Sequence, residues 1–284
     1  MQVSDTLNIQ NNLNLELHHY LVATHTSTMA KDIYTHTKSP DIAPLYINTV
    51  LADLFKCSPY VVRVFPNDNL IEQYQHKAKL TKNWSGIIVS VSSSTSFEAL
   101  LSHLRCRLMI TFEGQRKGIL HYYNPIVANY FFDGPNTTDT DNWLGPIKQV
   151  CWYGSNHSPN QSLWCKIDNS SLTESEISTW VMTPSQQASL EILYDDQILA
   201  NFLTSTSQTI NNREEWYQHR HYFSQAEHLG FIDIDHIYAY LSLCREHGSI
   251  DNTVFNSKKF TRFSPAEKIQ YLTSILKKDS VYVS

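Results

Sequence analysis

The 284-residue chain contains no run approaching the ~18 uninterrupted apolar residues that a membrane helix needs, which argues against a helical span. Residues 1–14 are polar and combine neither a basic stretch nor an apolar one, so no secretory signal is expected. Glycine is scarce, at eight residues, and no G-x-G-x-x-G or Walker loop occurs, which makes a phosphate-cradling site improbable. No H-E-x-x-H or G-x-S-x-G pattern is present either. Charged residues make up only 17%, with a net charge of −5 and no long run of either sign, so the chain offers no footprint for a nucleic-acid backbone. The five cysteines are an odd number without a C-x-x-C pair, a usage that fits a reducing cytoplasm rather than a disulfide scaffold.

What the chain does have is 42% apolar and 12% aromatic residues, enough to bury a sizeable core, and a length that suits two lobes. Short β-like runs at 20–23, 60–64, 86–92, 108–112 and 118–122 alternate with helical patterns, followed by β-like runs at 147–153 and 163–167. Thr95-Ser96-Phe97-Glu98 has capping-box spacing, and Phe97, Leu100, Leu101 and Leu104 follow at helical intervals. Glu113-Gly114 between two apolar runs predicts a hairpin over 107–123, hence a mixed sheet. The Gly, Pro, Asn, Thr and Asp of 133–141 predict a loop, and the polar stretch 169–173 a lobe boundary.

Beyond that boundary the periodicity is helical. Thr173-x-x-Glu176 and Ser264-Pro265-Ala266-Glu267 have capping-box spacing. Leu190, Tyr194, Ile198 and Phe202 form one stripe, and Ile234, Ile237, Tyr240, Leu241 and Cys244 another. Gly230 and Gly248 stand where helices end, and helices are predicted over 213–229 and 266–278. The expected fold class is α+β: an α/β lobe with a mixed sheet over 15–168, followed by an all-α lobe over 173–284.

Candidate chemistry is thin. His219 and His221 are two apart on a predicted helix and point away from each other, and His18-His19 face opposite sides of a strand. Glu16-x-x-His19 and Asp233-x-x-His236 lack the further carboxylates of a bundle metal site. No metal or other cofactor is expected. Cys57 and Cys106 are conceivable nucleophiles, since cations beside Cys106 would lower a thiol pKa, although buried filler is the commoner role of such cysteines. The aromatics carry more information. In Trp216-Tyr217-Gln218-His219-Arg220-His221-Tyr222-Phe223, aromatic and basic residues wrap most of a helix, so one buried stripe cannot hide them all. Such a helix is either sandwiched between lobes or displays a binding face.

Several segments of the first half follow a known order. Ala43-Pro44-Leu45-Tyr46, Ser58-Pro59-Tyr60-Val61-Val62, the helix ending in His103-Leu104-Arg105, the turn His121-Tyr122-Tyr123-Asn124-Pro125 and Leu144-Gly145-Pro146-Ile147 succeed one another. In that order and spacing the chain resembles the type VI secretion effector adaptor/chaperone family, catalogued as domain of unknown function 4123. The likeness runs from about Leu17 to Tyr153 and is looser beyond. Asn124-Pro125-Ile126 departs from the family's Asp-Pro-Arg, removing an acid and an arginine, though Asn124 can still cap the turn. The resemblance implies an α/β lobe followed by a helical lobe. It also implies a task without catalysis: binding a toxic effector in the cytoplasm and helping to load it on the valine-glycine repeat spike protein, VgrG. Trp216, Tyr217, Arg220 and Tyr222 are the candidate anchors, with Arg105 and Tyr123 on the sheet side; Arg105 also suits a structural role, satisfying carbonyls at a helix end. The alternatives are a cysteine-dependent hydrolase and a self-assembling structural module.

Overall fold

The computed structural model describes residues 2–4, 16–65, 68–78, 84–112, 115–132, 137–155, 162–171, 179–210, 212–250 and 252–281. The chain divides into two compact units, residues 1–193 and 194–284. Ten strands are formed among the described residues, all in the first unit: β1 (Gln2–Ser4), β2 (Leu17–Ala23), β3 (Ile42–Pro44), β4 (Tyr60–Val64), β5 (Gly86–Ser92), β6 (Met109–Thr111), β7 (Lys117–Ile119), β8 (Ile147–Ser155), β9 (Ser162–Asp168) and β10 (Trp180–Val181). Its helices are α1 (Met29–His36), α2 (Asn69–Lys77), α3 (Phe97–Cys106), α4 (Pro125–Phe131) and α5 (Thr137–Leu144).

Seven strands make one sheet in the order β1-β9-β8-β5-β2-β4-β3, antiparallel at every pairing. The mixed pairing expected from the sequence is in a second, three-stranded sheet, β10-β6-β7, where β10 runs parallel to β6 and β7 antiparallel. The central strands of the large sheet are apolar on both faces because both are covered. Tyr20, Val22, Val61, Ile87, Val89, Val150 and Trp152 point to a core shared with α3, α4 and α5. Their alternates Leu21, Ala23, Val62, Val64, Ile88 and Cys151 point to a core shared with α1 and α2. On this second face α1 and α2 are joined through Asp32, whose carboxylate accepts hydrogen bonds from Lys77 Nζ at 2.6 Å and Trp84 Nε1 at 2.8 Å. Burial opposes the charged form of Asp32, yet those two bonds and the Lys77 charge hold its carboxyl below the ordinary range.

Where the structure departs from the periodicities, packing is the reason. Thr137–Leu144 is a helix although its composition predicts a loop, because Trp143 and Leu144 bury one end of it; 133–136 lie outside the described residues. The cap of α3 is Ser96, whose Oγ accepts from the Ala99 amide at 3.2 Å, rather than Thr95. The predicted hairpin over 107–123 is formed by β6 and β7, with Glu113-Gly114 outside the described residues. Trp180–Val181 is a strand in a stretch whose periodicity is helical. Thr173-x-x-Glu176 also lies outside the described residues.

The helix α6 (Pro184–Ser205) contains the division between the units, and α7 (Arg213–His228), α8 (Ile234–His247), α9 (Asn252–Phe255) and α10 (Pro265–Val281) follow. Of the α6 stripe, Phe202 is buried and Tyr194 is exposed. Ile237, Tyr240, Leu241 and Cys244 of α8 pack with Phe202, Trp216, Phe223 and Leu272 into the second unit's core, while Ile234 is exposed. Gly230 (φ 83°) and Gly248 (φ 78°) take the left-handed backbone that terminates α7 and α8. Ser264 and Glu267 form the reciprocal cap of α10: the carboxylate accepts from the Ser264 amide at 2.8 Å, and the Glu267 amide donates to Ser264 Oγ at 3.4 Å.

Candidate partner-binding surface

Between β3 and β4 the chain leaves the sheet as a loop over 45–59 that contains a 3-10 helix, Ala52–Cys57. Its ends are held together by the Leu45 amide donating to Pro59 O at 2.9 Å and the Tyr46 amide donating to buried Ser58 Oγ at 3.0 Å. Leu45, Tyr46 and Leu51 drop into the first unit's core. The intervening residues cannot follow them, because Asn48 takes a positive φ of 63° and Thr49 folds its hydroxyl back onto Tyr46 O at 2.6 Å. The result is a surface display of apolar side chains: Ile47, Val50 at 79% exposure, Leu54 at 52% and Phe55 at 53%. A stable monomer surface scatters such residues singly; four within nine positions form a patch of the kind that proteins cover with a partner.

The segments that carry the resemblance converge on this loop. Arg105, at the end of α3, donates from Nε to Leu45 O at 3.2 Å and from Nη2 to Pro44 O at 3.3 Å. Tyr46 and Tyr123 share a hydroxyl–hydroxyl hydrogen bond of 2.6 Å, and His121 Nδ1 lies 2.8 Å from the Tyr123 hydroxyl. Tyr122 donates to Leu104 O at 2.9 Å. Asn124 caps α4, its side-chain oxygen accepting from the Ile126 amide at 3.0 Å, so the cap survives without the acid. Burial, and then the bond to Tyr46, push the Tyr123 phenol above its ordinary range, while burial lowers the His121 imidazole. Near pH 7 the Tyr123 phenol is therefore held protonated and the His121 imidazole neutral, so both can hydrogen-bond and pack.

The expected anchors take different places. Trp216 and Tyr222 are in the second unit's core, Trp216 at 2% exposure, and Tyr123 is in the first unit's core. Tyr217, on the opposite side of α7, is exposed at 42%. Arg220 Nε donates to buried Asp196 at 2.7 Å, tying α7 to α6. Arg105 and Tyr123 are brought together by the Pro44–Tyr46 segment, and Arg105 satisfies two carbonyls there. Among the cysteines, Cys57 is exposed beside Phe55, Cys106 is half-buried, and burial pushes the Cys151 thiol up to about 12 and Cys244 up to about 11. Ile47, Val50, Leu54 and Phe55 were not legible as surface residues, since Leu45–Cys57 reads as an apolar run without a strand or helix period. The one signal was its interruption by Asn48-Thr49 and Asp53.

A family model described as Domain of unknown function (DUF4123) matches residues 20–140. No curated protein and no solved structure matches the chain. The matched segment contains the loop, Arg105, His121 and Tyr123, so the displayed patch and the cluster beneath it lie in the part of the chain that is similar to this family. Strands β8 and β9, which complete the large sheet, and the whole second unit lie beyond it. Among the described residues no helix is long and apolar enough to cross a membrane.

Proposed function

We propose that the chain is a type VI secretion adaptor that binds a toxic effector in the cytoplasm and helps to load it on the VgrG spike, without catalysing a reaction itself. The observation that carries this reading is the apolar display of Ile47, Val50, Leu54 and Phe55 on a pinned loop within the segment that matches the DUF4123 family model. Supporting it, the loop is held at both ends by hydrogen bonds and by three core side chains, so its apolar tips are presented with little ordering left to lose on contact. Central apolar and aromatic anchors of this kind dominate protein interfaces, and Phe55 is the largest of the four.

The test is co-expression of the chain with the effector and VgrG encoded in the same cluster, followed by size-exclusion chromatography. The wild-type chain is expected to elute in a complex. The double variant Leu54→Asp, Phe55→Asp is expected to weaken that complex at least roughly tenfold, with the thermal midpoint unchanged, because both side chains are solvated in the free chain. Elution of the wild type alone with both candidates would end the adaptor reading, and an unaffected double variant would end the role of the loop.

A further inference from the structure

We propose that the outer edge of β7 is a strand-addition site for an extended segment of another protein, one that carries an acidic residue two positions from an aliphatic one. The site stands on the edge geometry alone; only the identity of the protein supplying the segment rests on the adaptor reading.

Strand β7 is the last strand of the β10-β6-β7 sheet and pairs with β6 as Met109↔Ile119, Ile110↔Gly118 and Thr111↔Lys117. The flanking bonds fix which residues turn their backbone towards β6. The Phe112 amide donates to Arg116 O at 2.7 Å, and the Leu120 amide donates to Leu108 O at 2.8 Å. In an antiparallel ladder, residues facing the neighbour alternate with residues facing away, so 116, 118 and 120 face β6. Lys117 and Ile119 therefore turn both N–H and C=O outwards. Among the described residues nothing bonds to these four groups, and Lys117 and Ile119 are exposed.

The β3 edge of the large sheet is treated differently. At β3, Pro44 has no amide to offer, and Arg105 occupies the carbonyls of Pro44 and Leu45. That edge is blunted in the way proteins prevent stray pairing, whereas β7 carries no such device on its backbone.

The side chains select the occupant. Lys117 and Ile119 share one face of the strand, and on the other the Phe112 ring lies against Gly118, so close that a Cβ there would meet it at 2.6 Å. Arg116 and Lys117 are both exposed and have no acidic partner among the described residues. An added strand would place a residue opposite Lys117 and another opposite Ile119, which favours an acid and an aliphatic at alternate positions. A second copy of this chain is the poorer fit, since edge-to-edge pairing would gather two Arg116 and two Lys117 on one short ladder.

The experiment uses the full chain and a fluorescein-labelled peptide of repeating Glu-Thr-Val-Thr, the Glu-Val peptide, whose Glu and Val lie two positions apart on one face, with Lys-Thr-Val-Thr as the Lys-Val peptide; binding is followed by fluorescence anisotropy and the chain's mass by light scattering. Saturable binding is expected, and Ile119→Pro, which removes an outward amide and no bond to β6, is expected to weaken it by roughly tenfold or more. Lys117→Glu is expected to weaken the Glu-Val peptide similarly and to bind a Lys-Val peptide instead. Unchanged thermal midpoints in both variants would keep the result separate from misfolding. No binding by the wild type, equal binding by Ile119→Pro, or a concentration-dependent dimer that Ile119→Pro dissolves would each overturn the proposal. If the effector and VgrG complex forms equally with Ile119→Pro, this edge is not where the cargo binds; if the peptide binds but no effector does, the adaptor reading fails and the edge site stands.

Discussion

Replacing Trp143 by alanine is expected to destabilise the first unit by about 3–5 kcal/mol. The indole is completely buried, and four rings pack on it in edge-on geometry: Tyr122 at 5.0 Å between centroids, Phe132 at 5.1 Å, Phe131 at 5.4 Å and His103 at 6.3 Å. They come from three stretches of chain, so the cavity left behind is walled by α3, the end of α4 and the segment after β7, which are tied elsewhere and cannot all collapse into it. The Trp143 carbonyl has a second task, accepting from buried Arg107 Nε at 2.9 Å at the C-terminal end of α5, where a cation is favoured. Domains of this size are stable by only about 5–15 kcal/mol, so the variant should sit near its unfolding limit. Urea denaturation followed by tryptophan fluorescence reads this unit, because five of the six tryptophans, all but Trp216, are in it. Trp143→Phe should retain most of the stability. A loss below about 1 kcal/mol for the alanine variant would show that the aromatic cluster is not the keystone of this core.

The second large effect is a dependence on acid. Burial first, and then the nearby Arg107 charge, lower His103 from 6.5 to about 3, outweighing a hydrogen bond to the Trp143 backbone. A group whose folded pKa is depressed is matched to the folded state only while neutral. As pH falls below 6.5 the unfolded chain takes up the proton and the folded chain does not, so stability drops until the pH reaches the folded value near 3. Between pH 7 and pH 4 the loss attributable to His103 is about 3 kcal/mol. In His103→Leu this component should vanish: the variant's stability should change less over that interval than the wild type's by about the same amount. Parallel pH profiles for the two proteins would rule out His103 as a source of acid sensitivity.

How much of this was legible in the sequence depended on whether local pattern or distant packing decides each element. Tyr60–Val64 and Gly86–Ser92 are readable to the residue, because a central strand covered on both faces is a mostly apolar run, here interrupted by Arg63 in one and Ser90 in the other and bounded by Pro59 and by Ser85 and Ser93. The ends of α7 and α8 at Gly230 and Gly248, and the cap at Ser264, are equally local. Helix α5 was not readable, since its first six residues, Thr137-Thr138-Asp139-Thr140-Asp141-Asn142, have turn composition, and only the aromatic cage around Trp143 makes it a helix. Short α1, α2 and α4 are of the same kind, each bearing two to four buried side chains against a sheet that the local sequence cannot see. At the surface the limit is sharper. Phe55 and Trp216 are alike to any composition argument, yet the first is displayed and the second buried, because Asn48 and Thr49 turn one segment outwards while α7 closes the other against its neighbours.

The most direct measurement of the central claim is made in cells: deleting this chain's gene from a strain whose secretion apparatus is active, then quantifying the cluster's toxin and VgrG in the culture medium. If the chain acts by gripping cargo, the toxin should vanish from the medium while VgrG is still exported, and a plasmid copy with Leu54→Asp and Phe55→Asp should fail to restore it. Undiminished toxin export from the deletion strain would contradict the account.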